Sequence, residues 1–490
     1  MKNLSALIIL LFSLIHLYGQ PAMNISEPLS VSGNATEYGK HLPRIHLMAD
    51  STVVIFWSKA GSNPGLFMSK LEGEAFGPVI EIPTGNLQPD IWSGGLGPSF
   101  AVAGNAVFVA FEKWGDAIYC VRSTDGGLTF DDPVTAFIPP AGRAATLPAI
   151  TTDGDGNPII GCITTNLAEQ EAQYEVVKSP DGGLTFGPAV IASLAADGDE
   201  VCECCPSNLL VTGSGDLYAT FRNNNSNIRD IWISRSADGG STFAQAVDID
   251  ETNWSIMGCP STGPHTLDAG DHLMSVFFSA GQNWEQGVYL SILDKMSFES
   301  SETIKLPFID GISGTQNFPR IAGNADTLGF VWHENTGSFY NVGFAWSLNG
   351  VDNIVEQAIQ INGAANPQVY PDILFAGGKF HVVYEDQATA TPVYQSIAFN
   401  TSTATSEQKT GQRELTVWPN PASDRVRIEL SERSSGDLAV EILDLFGNTV
   451  RKQTIHASSY SIDVRDLTGG LYFVRAAKNN QLWVARLMVR

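Results

Sequence analysis

Four of the six cysteines fall in two short stretches, Cys202-Glu203-Cys204-Cys205 and Cys259. Each lies just ahead of a proline-led apolar run, so folding can bring the four sulfurs together. Three chemistries suit such a cluster. An exported protein would close it into disulfides that staple long loops. Thiolates, helped by His265 or Glu203, could hold zinc or copper, although C-x-C-C is not a zinc-finger spacing. A free thiol could be redox-active. Cys120 and Cys162 lie inside apolar runs and read as small core residues. A second set is acidic: Glu112, Glu334 after His333, and Glu385-Asp386 each end an apolar run. Carboxyls at strand exits are usually just solvated, but a converging pair could serve as acid and base on a glycoside. A third set is aromatic: Trp92, Trp114, Trp254 and Trp284 suit either sugar stacking or rim packing.

The elements that must carry these groups repeat. Proline, an alternating apolar strand, a Gly/Asp/Asn turn and a second strand ending in aromatics recur from Pro43, Pro98, Pro148, Pro206, Pro264, Pro319 and Pro371, at intervals of 55, 50, 58, 58, 55 and 52 residues. Four short strands per unit at such a period predict an all-β protein with a β-propeller. Seven copies predict seven blades, with six plus a closing element as the alternative. The last unit ends near Asn400, so the ring must close with a strand from residues 21–41 or with a thin blade. Calling the strands of a blade A to D, the D–A and B–C loops share the top face, at the channel mouth. That face should hold the cysteines, carboxylates and tryptophans.

Three units also carry Ser123-Thr-Asp-Gly-Gly-Leu-Thr-Phe130, Ser179-Pro-Asp-Gly-Gly-Leu-Thr-Phe186 and Ser236-Ala-Asp-Gly-Gly-Ser-Thr-Phe243. Asp-Gly-Gly after a strand predicts a tight hairpin in which the carboxylate binds the turn's own N–H groups. The motif resembles the Asp box of sialidases and their non-catalytic relatives. The resemblance implies that Asp125, Asp181 and Asp238 are structural and lie on the bottom, joining strands C and D. A catalytic sialidase would also need an arginine triad, a tyrosine nucleophile backed by a glutamate, and an aspartate acid/base. The resemblance points to Arg44, Arg222 and Arg320 for the arginines, although the chain reads Leu42-Pro-Arg-Ile where the family has R-I-P. Tyr340 and Tyr370 are top-loop candidates with no motif pairing either to a glutamate. No catalytic set is assigned; the candidates are Arg44, Arg222, Arg320, Glu334 and Glu385, and the expected ligand-contacting residues are Arg222, Arg229, Trp254, His265 and Trp284.

Residues 1–20 read as a secretory signal, with Lys2 ahead of an apolar core from Leu4 to Leu17. Residues 21–400 form the propeller and 401–414 a Ser/Thr/Gln-rich linker. Residues 415–490 predict a small β-sandwich. Pro419-Asn-Pro421, Ile442-x-Asp444-x-x-Gly447 and Leu467-x-x-Gly470-x-Tyr472 resemble the type A sorting domain of the type IX secretion system of Bacteroidetes. This implies passage through the outer membrane by that machinery, with removal of the domain or its exchange for a surface anchor. Net charge is −24, with the segment from Leu415 at about +2. So acidic a body repels nucleic acid and anionic membranes. No loop has the carboxylate spacing of a dedicated calcium site. The expectation is a secreted or cell-surface propeller, with no transmembrane segment in the mature chain, engaging a glycan or glycoconjugate on its top face and needing no cofactor. A glycosidase of sialidase type and a metal protein built on the cysteines are the alternatives.

Overall fold

The computed structural model describes residues 22–400 and 415–490, apart from 34–37, 93–95, 114–115, 195–199, 312–313, 338, 364–365, 390, 431–437, 445–448, 456–458 and 479–480. The signal sequence, the linker and Trp114 lie outside the described residues. The chain divides into two compact units on either side of Asn400.

Among the described residues the first unit carries seven antiparallel sheets, called blades 1 to 7 in chain order. Their inner strands are His41–Leu47, Ser99–Ala103, Arg143–Thr152, Asn208–Val211, His265–Ala269, Thr315–Gly323 and Gln368–Ala376. Each packs beside the next, and Gln368–Ala376 packs beside His41–Leu47, so the seven form a closed ring. The cause is the alternating pattern. Each blade is apolar on both faces, so each face must be covered by another blade. One apolar cluster fills every junction. Phe56, Phe100 and Phe111 lie between blades 1 and 2, Ile163, Tyr174 and Phe221 between blades 3 and 4, and Trp332, Phe330 and Leu290 between blades 5 and 6.

Closure comes from the N-terminal side. Ala22–Ile25 pairs with Pro392–Asn400 as the outer strand of blade 7, in register Ala22↔Asn400 to Ile25↔Ile397. Leu29–Ser30 continues along the same strand. An otherwise open edge is thereby paired within the chain.

The three Asp-box turns are near copies of one another. In each, the serine hydroxyl donates to the aspartate (2.8, 2.9 and 2.7 Å). The same serine oxygen accepts the N–H of the second glycine (2.8, 2.7 and 2.8 Å). Those glycines, Gly127, Gly183 and Gly240, sit at φ 84°, 91° and 95°, which a side chain would oppose. The threonine hydroxyl completes the clasp at 2.6, 2.7 and 2.6 Å. Gly126 N–H donates to Asn105 O, and Gly182 N–H to Asn157 Oδ1, so the boxes of blades 2 and 3 lie with the A–B turns. Bonds from the Thr129 and Thr242 hydroxyls and amides hold Asp125 and Asp238 down at about 2, and Asp181 is lowered in the same way by Thr185. A depressed folded pKa contributes stability that is complete above the unfolded value, roughly 4, and lost as pH falls through the folded one. The melting temperature of the propeller should therefore drop between about pH 4 and pH 2 by more than in an Asp125→Asn/Asp181→Asn/Asp238→Asn variant. Parallel melting curves across that window would remove the boxes from acid stability.

The second unit is a β-sandwich. Leu415–Trp418, Arg425–Leu430 and Ser459–Asp463 form one sheet, and Thr449–Ile455, Leu438–Leu443, Gly470–Lys478 and Gln481–Val489 the other. Val426, Ile428, Ile442, Val474 and Leu487 alternate inward to make its core.

Candidate functional site

A repeated irregularity in the inner strands positions the site. Proline has no N–H to give the ladder, so the ladder must skip it. In blades 1, 3, 6 and 7 the residue ahead of proline turns left-handed: Leu42 (φ 54°), Leu147 (53°), Phe318 (52°) and Tyr370 (52°). Strand pairing shifts register at the same four places. The residue after each proline (Arg44, Ala149, Arg320 and Asp372) then lines an axial cavity of about 290 Å³. All seven inner strands contribute to its wall.

Two arginines thus enter one narrow space from blades 1 and 6, and a single aspartate enters from blade 7. Asp372 Oδ1 lies 3.6 Å from Arg320 Nε, and its Oδ2 accepts Ile45 N–H at 3.0 Å across the ring closure. Each guanidinium also donates to the carbonyl of its own preceding proline, Arg44 at 2.9 Å and Arg320 at 3.2 Å. Burial lowers the Arg44 pKa, against the pull of Asp372. Burial and repulsion from Arg44 bring Arg320 down to about 9. His46 and His265 share the cavity. Burial lowers His46, while burial and Arg320 push His265 to about 3, so both are neutral at physiological pH. His265 Nδ1 accepts the Ile321 N–H at 3.3 Å. The balance is one positive charge in excess, in an acidic chain. Beside Phe318 an aromatic group rises from blades 6 and 7: its ring lies 4.8 Å from Tyr370 and 5.0 Å from His333, and His333 lies 4.7 Å from Tyr340.

Of the sequence candidates, Arg44, Arg320 and His265 meet here. His46 and Asp372 were missed, though the Pro-Arg-Ile and Pro-Asp-Ile starts of their strands were visible. Arg222 and Arg229, expected on the ligand face, are corrected by the structure. Arg222 is 1% exposed, and its donors are taken by the carbonyls of Thr262 (3.2 Å), Arg229 and Phe278 (2.7 Å). It ties blade 4 to blade 5, and its burial puts it out of a ligand's reach. Arg229 is buried with Nη1 on Cys202 Sγ (3.0 Å) and Glu203 (3.2 Å). Trp254, expected to stack on sugar, is buried beneath Arg222, 5.2 Å from its guanidinium, and edge-on to Phe278. Trp284 is half-buried against Tyr289.

The carboxylates do not converge, which corrects the acid/base pair, and none of the three lines the cavity. Glu112 accepts from Trp92 Nε1 (2.8 Å), Thr146 Oγ1 (2.7 Å) and Leu147 N–H (2.5 Å), linking blades 2 and 3. Glu334 accepts from Trp332, Gln316 and the Ile309 amide. Glu385 accepts from Gln387 at 2.6 Å and faces His41 at 3.5 Å. Glu112 and Glu334 are buried clasps between loops and strands, because a buried carboxylate has to find donors, whereas Glu385 keeps its Oε2 buried without a hydrogen-bond donor.

The cysteines occupy an interruption in blade 4. Glu200–Val201 and Asn208–Val211 both pair with Leu217–Asn224, and residues 202–207 bridge them. Cys204 is disulfide-bonded to Cys259 of the next blade's loop. Cys202 and Cys205 are buried next to that bridge, with their sulfurs side by side. The sulfurs of Cys202, Cys204 and Cys205 lie within 4.8 Å of one another. With Cys204 bonded to Cys259, however, only two sulfurs of the group are left, too few for a tetrahedral zinc site. The donor set does not fit a metal, and His265 lies in the cavity instead. Cys120 and Cys162 are buried in one core cluster, with thiol pKa values pushed up by burial.

Residues 416–490 match the family described as the secretion system C-terminal sorting domain. A comparison with curated proteins finds no match. Among solved structures, a Dyadobacter fermentans protein of unknown function is 14% identical (77% of this chain, all of that one, TM-score 0.45). The polysaccharide lyase Uly1 is 9% identical (76% and 92%, TM-score 0.48), and a Trypanosoma rangeli sialidase is 10% identical (92% and 84%, TM-score 0.41). Among the described residues no helix is long and apolar enough to cross a membrane. The chain thus joins an all-β propeller to a sorting domain of the type IX secretion family, which marks it as a secreted or cell-surface protein.

Proposed function

We propose that the propeller is a glycan-binding module that holds an anionic group of an extracellular glycan, such as a sugar carboxylate, between Arg44 and Arg320. The observation that carries this is the convergence of two arginines on one aspartate in the cavity. A carboxylate entering there would offset the repulsion that lowers Arg320, and guanidinium forks match its two oxygens. Phe318 lines the cavity with the arginines, packed on Tyr370, and offers an apolar face to a sugar ring. Binding is preferred to cleavage because Glu112 and Glu334 are committed to separate clasps and none of Glu112, Glu334 and Glu385 lines the cavity. Isothermal calorimetry with uronate- or sialate-bearing oligosaccharides, against neutral ones of equal length, tests this. Arg44→Ala and Arg320→Ala should each weaken binding of the acidic glycans about tenfold or more. Equal binding of neutral glycans, or folded arginine variants that bind like the wild type, would overturn it.

One observation favours a sialidase-type glycosidase as the second reading. Tyr370 lies near enough to Glu385 that the carboxylate, after burial, helps raise the phenol pKa. Release of a sialyl or neutral glycoside by wild type but not by Tyr370→Phe would establish that reading; no turnover by either leaves the module a binder.

A further inference from the structure

Among the described residues, five side chains that can carry charge line the axial cavity. Arg44 and His46 come from blade 1, His265 from blade 5, Arg320 from blade 6 and Asp372 from blade 7. Blades 2, 3 and 4 bring only uncharged groups, such as Phe100, Ile150 and Asn208. With both histidines neutral at physiological pH, two guanidiniums stand against one carboxylate. We infer that Asp372 makes the cavity a charge filter: by cancelling one of the two arginines it suits the site to a singly charged group, a sugar carboxylate or a sulfate ester, and sets it against a doubly charged phosphate ester. The filter presupposes the glycan-binding reading above and narrows the anion that the site takes.

The physical basis is a difference in scaling. The cost of taking an ion out of water rises with the square of its charge, whereas its attraction to a fixed set of charges rises only in proportion. In an open, wet cleft the first cost is small and a dianion binds well. Here burial is strong enough to lower Arg44 and, with repulsion from Arg44, to bring Arg320 down to about 9. A single positive charge in excess offsets one negative charge and leaves a second without a partner.

Asp372 is fixed in this role by the backbone. The register shift that turns Arg44 and Arg320 inward recurs ahead of Asp372 in blade 7. The side chain is 7% exposed, its Oδ2 accepts the Ile45 N–H at 3.0 Å, and its Oδ1 stands 3.6 Å from Arg320 Nε. With one oxygen bonded to the neighbouring blade, the carboxylate stays beside Arg320 when a ligand enters. Asp372→Asn keeps an oxygen for the Ile45 N–H and removes the charge. Because attraction is proportional to charge, that change strengthens a dianion by twice the free energy by which it strengthens a monoanion.

The test loads the full-length protein with a uronate-bearing oligosaccharide and displaces it with glucose 6-sulfate or glucose 6-phosphate. These sugars share a tetrahedral ester and differ by one charge at pH 8. The sulfate should displace at about a tenth of the concentration that the phosphate needs, or less. At pH 5, below the second phosphate ionisation at about pH 6, the two should converge. Both sugars meet the same histidines at each pH, so protonation of His46 or His265 cancels in the ratio. Asp372→Asn should shift the ratio at pH 8 about tenfold or more toward the phosphate. Equal displacement by the two sugars at pH 8, displacement by neither, or a wild-type ratio in Asp372→Asn would overturn the filter and leave the glycan site standing. An oligosaccharide that does not bind the wild type at all removes the glycan reading, and the filter with it. If Asp372→Asn does not fold, the wild type decides: a gap between the sugars that is as wide at pH 5 as at pH 8 overturns the filter.

Discussion

Arg222→Ala should cost the propeller about 4 kcal/mol of stability or more, among the larger effects a single substitution can have. The side chain is 1% exposed, and its guanidinium bonds three carbonyls, two of them in blade 5. Bonds to a charged donor contribute roughly 1.5–3 kcal/mol each, and truncation leaves three buried carbonyls without partners. It also empties the space over Trp254, where a cavity adds its own penalty. Arg222→Lys should recover little, because a single ammonium cannot reach three carbonyls fixed around a planar fork. Chemical denaturation followed by tryptophan fluorescence reads the effect, since Trp254 lies under the substituted residue. A variant with wild-type stability that had lost only glycan binding would return Arg222 to the ligand face. The same reasoning warns against using this residue to test function: its loss would abolish any activity by unfolding the junction.

The second large effect is expected from removing residues 22–32. This segment covers the edge of Pro392–Asn400 with strand pairing from Ala22↔Asn400 to Ile25↔Ile397. It adds bonds from Ser26 N–H to Ser396 O (2.9 Å), Val31 N–H to Pro392 O (3.0 Å) and Ser32 N–H to Thr391 Oγ1 (2.9 Å). Met23 and Ile25 pack into the junction of blades 6 and 7, and Val31 into that of blades 7 and 1. Val31 is fully buried, worth roughly 1.5–3 kcal/mol, and half-buried Met23 and Ile25 add smaller amounts, so with the strand bonds the segment contributes a sizeable fraction of a whole protein's stability. The truncated chain should therefore not hold a closed ring, and its freed edge should pair between molecules. Size-exclusion chromatography should show aggregates in place of a monomeric peak, and a synthetic peptide of residues 22–32 supplied during refolding should restore it. A monomeric truncated protein with unchanged melting would mean that the ring closes by packing alone.

Much of this architecture was legible in the sequence because it is periodic. Alternating apolar residues dictate strands whatever surrounds them, and a period of 50 to 58 residues dictates a stack of like units. The Asp boxes were legible for the same reason: Ser, Asp, Gly and Thr form the turn from within eight residues. Pro419-Asn420-Pro421 and the glycines near the C-terminus identified the sorting domain locally too. Which arginine faces the cavity was decided elsewhere. Arg44, Arg222 and Arg320 all occupy strand positions that the pattern places near the top, yet only Arg44 and Arg320 follow a proline that forces the bulge and turns the next side chain inward. Arg222 sits on a regular strand facing the neighbouring blade, where carbonyls of blade 5 take its donors. The carboxylates went the same way, claimed by amides and indoles contributed by other loops. For the cysteines, spacing left pairing open because 55 residues separate Cys204 from Cys259, and only the packing of adjacent blades brings those two sulfurs together while leaving Cys202 and Cys205 inside. Local chemistry fixes turns and strands through bonds a segment makes with itself. A polar side chain's role depends on which partners reach it first, and those partners come from distant parts of the chain.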